Sequence, residues 1–278
     1  LHYFPNIISA FTDLKAGFVL VVSKNFTDLS IAHNAVASFY IEEGLTEFSD
    51  MLRSIIPLKP DGVLRFFEYG RFLSKYWGIP IRDGSPFDLT NRASDIHPNL
   101  NQISPLGWKI YNTVLDYPES SIVDITKLLG KPRNTIARWI RKFQKMNLYS
   151  TRFVPDLIKL GVNVQLIASI SVQGLEETKR LETIRLVDNH FLPISLFCSY
   201  NEIVLFAIFP DYRHLRDTET QFFNEMNKKS LPFKINKKFL LSINKILEPK
   251  SIKDSFTPLV TYLRNSEKYS LEPYSKIS

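Results

Sequence analysis

The chain has 278 residues, 44% of them hydrophobic, and carries 35 Lys and Arg against 28 Asp and Glu, a formal net charge of +7. That length and apolar share can bury more than one core, which predicts two or three domains, and the excess of base favours an acidic partner such as nucleic acid. A single cysteine, Cys198, excludes an internal disulfide and fits a reducing cytoplasm, while the lack of a bilayer-length apolar run or an opening signal peptide argues against membrane insertion and secretion.

In the N-terminal part, Ile7 to Phe11 and Gly17 to Ser23 read as two strands joined in a hairpin. Asp28 to Tyr40 is predicted helical, with Leu29, Ala32, Val36 and Phe39 at compatible spacing, and Met51 to Ile56 reads as a further strand. From Gly62 to Gly78, Val63, Phe66, Phe67, Leu73 and Trp77 fit one amphipathic helix whose aromatics suit packing on a neighbouring domain better than binding a ligand. Ile79 to Pro105, rich in Pro, Asp, Asn and Ser, reads as a linker.

The stretch from Trp108 to Phe153 holds three helical patterns in close succession. Leu106 to Leu115 places Ile110, Val114 and Leu115 toward a core. Ser121 can cap a second helix whose Ile122, Ile125, Leu128 and Leu129 fall on one side, and Gly130 suits its C-terminal end. Pro132 fits the first turn of a third helix, in which Ile136, Trp139, Ile140 and Phe143 form an apolar stripe. Its other face carries Arg133, Asn134, Thr135, Arg138, Arg141, Lys142 and Lys145. Between Pro105 and Arg152 nine basic residues meet three acidic ones, a surplus of +6 that holds nearly all of the chain's net charge. Two short helices and a tight glycine turn before a basic amphipathic helix are what a helix-turn-helix requires, with the third helix entering a major groove.

Further on, Val164 to Val172 alternates as a half-buried strand. Leu175, Thr178, Leu181, Ile184 and Val187 mark a helix to about Asn189. Strands at Ile194 to Phe197 and Ile203 to Phe209, a helix at Tyr212 to Asn227 and a strand at Phe239 to Ile243 complete a β-α-β-β-α-β order, the ferredoxin-like arrangement. Two helices on one face of its sheet leave the other needing cover; Phe206, Ile208, Ile170 and Phe239 are assigned to that face, which makes sheet-to-sheet dimerisation the simplest solution.

The run LLGKPRNTIARWIRKFQKMNLYSTRFVPDLIKLGVNVQLIASISV resembles the Lrp/AsnC family of bacterial and archaeal transcription regulators, over about Leu106 to Leu247. The matching features are a corner at Asn147, Leu148 and Tyr149 after the helix-turn-helix, a Pro155 to Gly161 connection, and the strand at Val164 to Val172. The resemblance implies a winged-type helix-turn-helix, an α+β chain with a ferredoxin-like effector domain, double-stranded DNA as partner, and homodimers or higher homo-oligomers through the effector-domain sheets. It makes Arg133, Asn134, Thr135 and Arg138 the residues for base edges; Lys131, Arg141, Lys142 and Lys145 are assigned to phosphates. Trp139 departs from the polar or basic residue common in the family, and either seals the helix or tilts it. The family's effector site, which takes amino acids, lies at the loop between the second and third strands. Here that place holds Ser199, Asn201 and Glu202 without the family's glycine.

The N-terminal order repeats the C-terminal one. A constant offset of 186 pairs Ile8 with Ile194, Ser9 with Ser195, Phe11 with Phe197, Val22 with Ile208, Phe26 with Tyr212 and Leu29 with Leu215. At the last strand the offset is 188, pairing Leu52 with Leu240, Ser54 with Ser242 and Ile55 with Ile243. The expected organisation is a partial effector-type unit at 1–60, helix and linker at 61–104, helix-turn-helix at 105–153, effector domain at 154–250 and an extension at 251–278. On this reading the chain starts inside a domain.

Catalysis finds little support: the histidines His2, His33, His97, His190 and His214 lack ligand spacing, and no Gly-rich phosphate loop occurs, so no cofactor or metal is expected. Two alternatives stand. Some relatives of the family, the sirohaem decarboxylases, work on a tetrapyrrole, for which only His190 and His214 lie in the relevant domain. In the other, an adaptor or architectural protein carries a helix-turn-helix that only packs.

Overall fold

The computed structural model describes residues 7–12, 17–23, 26–44, 62–80, 102–146, 148, 155–243 and 247–250. The N-terminal elements are β1 (Ile7–Thr12), β2 (Gly17–Val21), α1 (Phe26–Glu42), β3 (Val63–Arg65) and α2 (Gly70–Trp77). Three helices follow, α3 (Pro105–Asp116), α4 (Ile122–Leu129) and α5 (Arg133–Lys145). The remainder is β4 (Val164–Ser171), α6 (Glu177–Phe191), β5 (Ser195–Cys198), β6 (Glu202–Phe209), α7 (Tyr212–Lys228), β7 (Lys234–Ser242) and β8 (Leu247–Lys250).

A five-stranded antiparallel sheet in the order β3-β5-β6-β4-β7 organises the C-terminal half. Its last four members with α6 and α7 give the predicted β-α-β-β-α-β order. Central strands β4 and β6 are buried along nearly their whole length, because both sheet faces are covered. On one face Leu166, Ala168 and Ile170 of β4 and Ile203, Leu205 and Ala207 of β6 meet Ile184 and Val187 of α6 and Leu215, Phe222 and Met226 of α7. On the other, Ile167, Phe197, Val204, Phe206, Ile208 and Leu241 meet Tyr69, Phe72 and Leu73 at the start of α2, with Phe18 of β2 packed against them.

Three expectations change here. Ile170 belongs to the helix-covered face, because Ile167, three residues earlier, is the partner of Phe206 and alternate residues share a face. The 62–78 segment is not one helix: Val63–Arg65 pairs with β5 as an edge strand, Phe67 turns the chain at φ 52°, and only Gly70–Trp77 is helical. Its aromatics do pack on a neighbouring sheet. That packing covers the face expected to meet a second copy's sheet: among the described residues, Phe206 and Ile208 are 5% and 1% exposed within one chain.

A buried ion pair fastens this cover. Arg65 of β3 donates through Nε and Nη2 to the two carboxylate oxygens of Asp188 on α6, Nη1 donates to Glu68, and Arg71 of α2 donates to the same Asp188 carboxylate at 2.6 Å. Burial pushes the Arg65 guanidinium down, and the hydrogen bonds and charge of Asp188 and Glu68 more than offset it.

A second, three-stranded sheet has the order β2-β1-β8. β1 and β2 form the predicted hairpin, and α1 covers the predicted helix. The strand expected at Met51 to Ile56, most of the linker, and most of the corner and wing after α5 lie outside the described residues, as does the C-terminal extension.

Candidate nucleic-acid interface

Helices α3, α4 and α5 enclose their own core of Ile103, Ile110, Val114, Ile125, Ile136 and Phe143. Local chemistry sets each boundary. Ser104 caps α3 by accepting from the Gly107 N–H at 3.1 Å, with Pro105 at the position where no N–H is needed. Ser121 and Asp124 form a reciprocal cap on α4: the Asp124 N–H donates to Ser121 Oγ, and the Ser121 N–H donates to the Asp124 carboxylate. Hydrogen bonds from the Ser121 hydroxyl and then its backbone hold the Asp124 carboxyl below its usual range. Gly130 ends α4 in the left-handed region, at φ 60° and ψ 33°, so that α5 starts three residues later at a new angle.

On α5, Ile136 and Phe143 are fully buried and Trp139 and Ile140 partly so. At 100° per residue, Asn134, Arg138, Arg141 and Lys145 stand in a narrow row on the opposite side, and all four are exposed. Arg133 and Lys131 are also exposed and Thr135 is half-buried. None of Lys131, Arg133, Arg138, Arg141 and Lys145 forms an ion pair among the described residues. Arg141 Nε donates to the Ala137 carbonyl of its own helix at 3.3 Å.

Two residues are placed differently from the faces expected of them. Lys142 is half-buried; its Nζ donates to the Gln102 carbonyl at 3.0 Å and lies 4.8 Å from the centre of the Trp139 ring, which occupies it within the domain. Leu128, expected in the core, is 55% exposed, because the inward side of α4 is taken by Ile122, Ile125 and Leu129.

Sequence reasoning missed the seat of Trp139. A Cβ built on Gly107 would come 2.7 Å from the Trp139 ring and 2.9 Å from Ile103 Cγ2, so the indole fills space that only glycine leaves. A glycine within a helix is less favourable than alanine, and Gly107 in the first turn of α3 was the available signal. Tyr111 ties the end of the domain by donating to the Leu148 carbonyl at 2.9 Å, and burial raises its phenol above the usual range.

The expected effector residues lie together in the β5–β6 turn. Ser199 Oγ accepts from the N–H groups of Asn201 and Glu202, and the Asn201 carbonyl accepts from Val172, so both residues build the turn. Glu202 reaches across the sheet to accept from Ser169 Oγ at 2.8 Å, and Asn236 of β7 donates to the same hydroxyl. Cys198 is buried among the helix-covered side chains, the expected role for a small apolar residue. His190 meets Glu225 near the end of α7, whereas His214 contacts Asp211 at its start, so α7 separates the two by about three turns.

No family model matches the chain, and no curated protein matches its sequence. Solved structures that it resembles include an AsnC family transcriptional regulator from Agrobacterium tumefaciens, at 13% identity and a TM-score of 0.41, covering 50% of this chain and 88% of that one. A second is E. coli AsnC, at 12% identity and 0.39, covering 51% and 91%. A third is the transcriptional regulatory protein PF0864 from Pyrococcus furiosus, described as a member of the AsnC family, at 16% and 0.38, covering 56% and 97%. Each likeness spans about half of this chain.

Proposed function

We propose that this chain is a sequence-specific DNA-binding transcription regulator of Lrp/AsnC type, with α5 as its reading helix in the major groove. The observation that carries the proposal is the exposed row Asn134, Arg138, Arg141 and Lys145, without acidic partners among the described residues and opposite the buried face of α5, on the helix that follows the capped and glycine-turned α4. Arg133, Asn134, Thr135 and Arg138 at the N-terminal end take base edges, where Arg fits guanine and Asn fits adenine. Lys131, Arg141 and Lys145 hold phosphates and set the register. The body formed by β4 to β7, α6 and α7 is the effector-type domain, and the β5–β6 turn with Ser199, Asn201 and Glu202 is its site for a small ligand such as an amino acid. β1, β2 and α1 belong to a second, partial effector-type unit.

The test is fluorescence anisotropy over a salt series, with genome-selected and random duplexes, for wild type and Arg138→Ala. The expected result is selective binding that the substitution removes. Weak binding that modest salt abolishes and the substitution ignores would mean only a basic surface and overturn the reading in favour of an adaptor.

A further inference from the structure

The elements at the two ends of the chain correspond pair for pair. With the offset of 186, α1 (Phe26–Glu42) falls on α7 (Tyr212–Lys228) at both ends. The hairpin registers also coincide. In the N-terminal pair Ser9 faces Leu20, Ala10 faces Val19, Phe11 faces Phe18 and Thr12 faces Gly17. The same offset turns these into Ser195 with Phe206, Leu196 with Leu205, Phe197 with Val204 and Cys198 with Ile203, which are the observed partners of β5 and β6.

A further correspondence concerns the edges. β3, which follows the N-terminal elements, lies antiparallel on β5 of the C-terminal unit, with Arg65 opposite Leu196. β8, which follows the C-terminal unit, lies antiparallel on β1 of the N-terminal hairpin, with Lys250 opposite Ala10. Under the offset, Ala10 and Leu196 are the same position, and Lys250 falls one residue from Arg65. Each half therefore sends the strand after it to the same edge of the other half. The sheets also meet: the Phe18 and Phe206 rings lie edge to face at 4.5 Å, and Phe18 falls on Val204, the neighbour of Phe206 on one face of one strand. Such a contact, between positions two apart in equivalent strands, is what a self-complementary two-fold pairing produces.

From these relationships we infer that the chain is its own sheet partner: its two halves form an internal pseudo-dimer, closed in cis by reciprocal exchange of β3 and β8. The inference rests on the two-unit reading above and adds to it what covers the effector-domain sheet. The occupant of that face is the N-terminal half of the same polypeptide, which delivers Phe18 and, after β3, α2. One chain thus supplies two sheet surfaces and a single described helix-turn-helix.

The experiment is a cysteine pair across the second exchange, Ala10→Cys with Lys250→Cys, in a full-length Cys198→Ala chain oxidised over a hundredfold range of protein concentration. Non-reducing electrophoresis and intact mass report the link. The expected product is a single chain closed on itself, lighter by two hydrogens, in a yield independent of concentration. Disulfide-linked dimers whose yield rises with concentration would place the exchange between chains, leaving two units per chain and overturning closure in cis. Free thiols in a chain that unfolds cooperatively would remove the exchange and the two-unit reading together. DNA binding is measured separately and fails or succeeds on α5 alone.

Discussion

Arg65 and Asp188, 123 residues apart, form a two-pronged ion pair in which the side chains are 5% and 3% exposed. Asp188 also takes Arg71, so one carboxylate fastens both β3 and α2 to α6. Removing Asp188 takes the two-pronged partner from the buried Arg65 guanidinium, which keeps its bond to the more exposed Glu68. Asp188→Asn is expected to cost about 3–5 kcal/mol in urea unfolding, whereas replacing the charged cluster with apolar residues of similar volume is expected to cost far less. A chain equally stable without Asp188 would show that the pair does not hold the cover.

Arg138 and Lys145 occupy the same exposed row and are expected to separate by function. Arg138→Ala should lose about 1–3 kcal/mol on a specific duplex and relax selectivity, while Lys145→Ala weakens all duplexes and lowers the salt slope by about one. Lys142→Ala should change that slope less than Lys145→Ala, because the Lys142 ammonium is already engaged by Gln102 and Trp139. Equal slopes for the two lysine variants would return Lys142 to the phosphate contacts.

Gly107→Ala places a methyl group 2.7 Å from the Trp139 ring and is expected to destabilise the three-helix domain by about 1–3 kcal/mol. Trp139→Leu in the same chain should recover part of the loss, and a double-mutant cycle on thermal unfolding measures the coupling. Additive losses would mean that the indole does not sit against Gly107 in solution.

Ser121→Ala removes the reciprocal cap of α4 and should lower helix-domain stability by about 1 kcal/mol. The Asp124 carboxyl, held down by Ser121, gives the pH dependence. A depressed folded value adds stability above the unfolded carboxyl range, which is lost as pH falls through the folded value, below about pH 4. Thermal unfolding between pH 2 and 7 should show this acid loss reduced in Ser121→Ala; an identical acid limb in both proteins would remove the capping contribution.

Features legible in the sequence were those encoded locally. Ser121, Gly130 and the spacing of Ile136, Trp139, Ile140 and Phe143 set α4 and α5 without distant help, and apolar alternation with helical spacing gave the order from β4 to β7. Elements that escaped notice depend on partners far along the chain. β3 and β8 are three and four residues long and exist as strands only against β5 and β1. The apolar residues between Gly62 and Gly78 also satisfy helical spacing, so nothing local separated a strand, a turn at Phe67 and a short helix. At the site, the exposed row on α5 followed from periodicity, whereas the engagement of Lys142 required the tertiary position of Gln102.

β7 was expected to begin at Phe239 and begins at Lys234, because its first residues read as polar loop. Lys234, Asn236 and Lys238 stand exposed along it, and it is the outer strand of the five. An outer strand offers a row of unpaired N–H and C=O groups to any other strand, the usual start of aggregation. Lys238 is paired with Glu219 of α7 at 2.8 Å, so Lys234 is the charge that a second copy adding at the start of this strand would meet, and a charged edge of this kind opposes the growth of a shared sheet. On the proposed function, copies gathered along one duplex would meet at high local density, the condition in which a charged sheet edge opposes their joining.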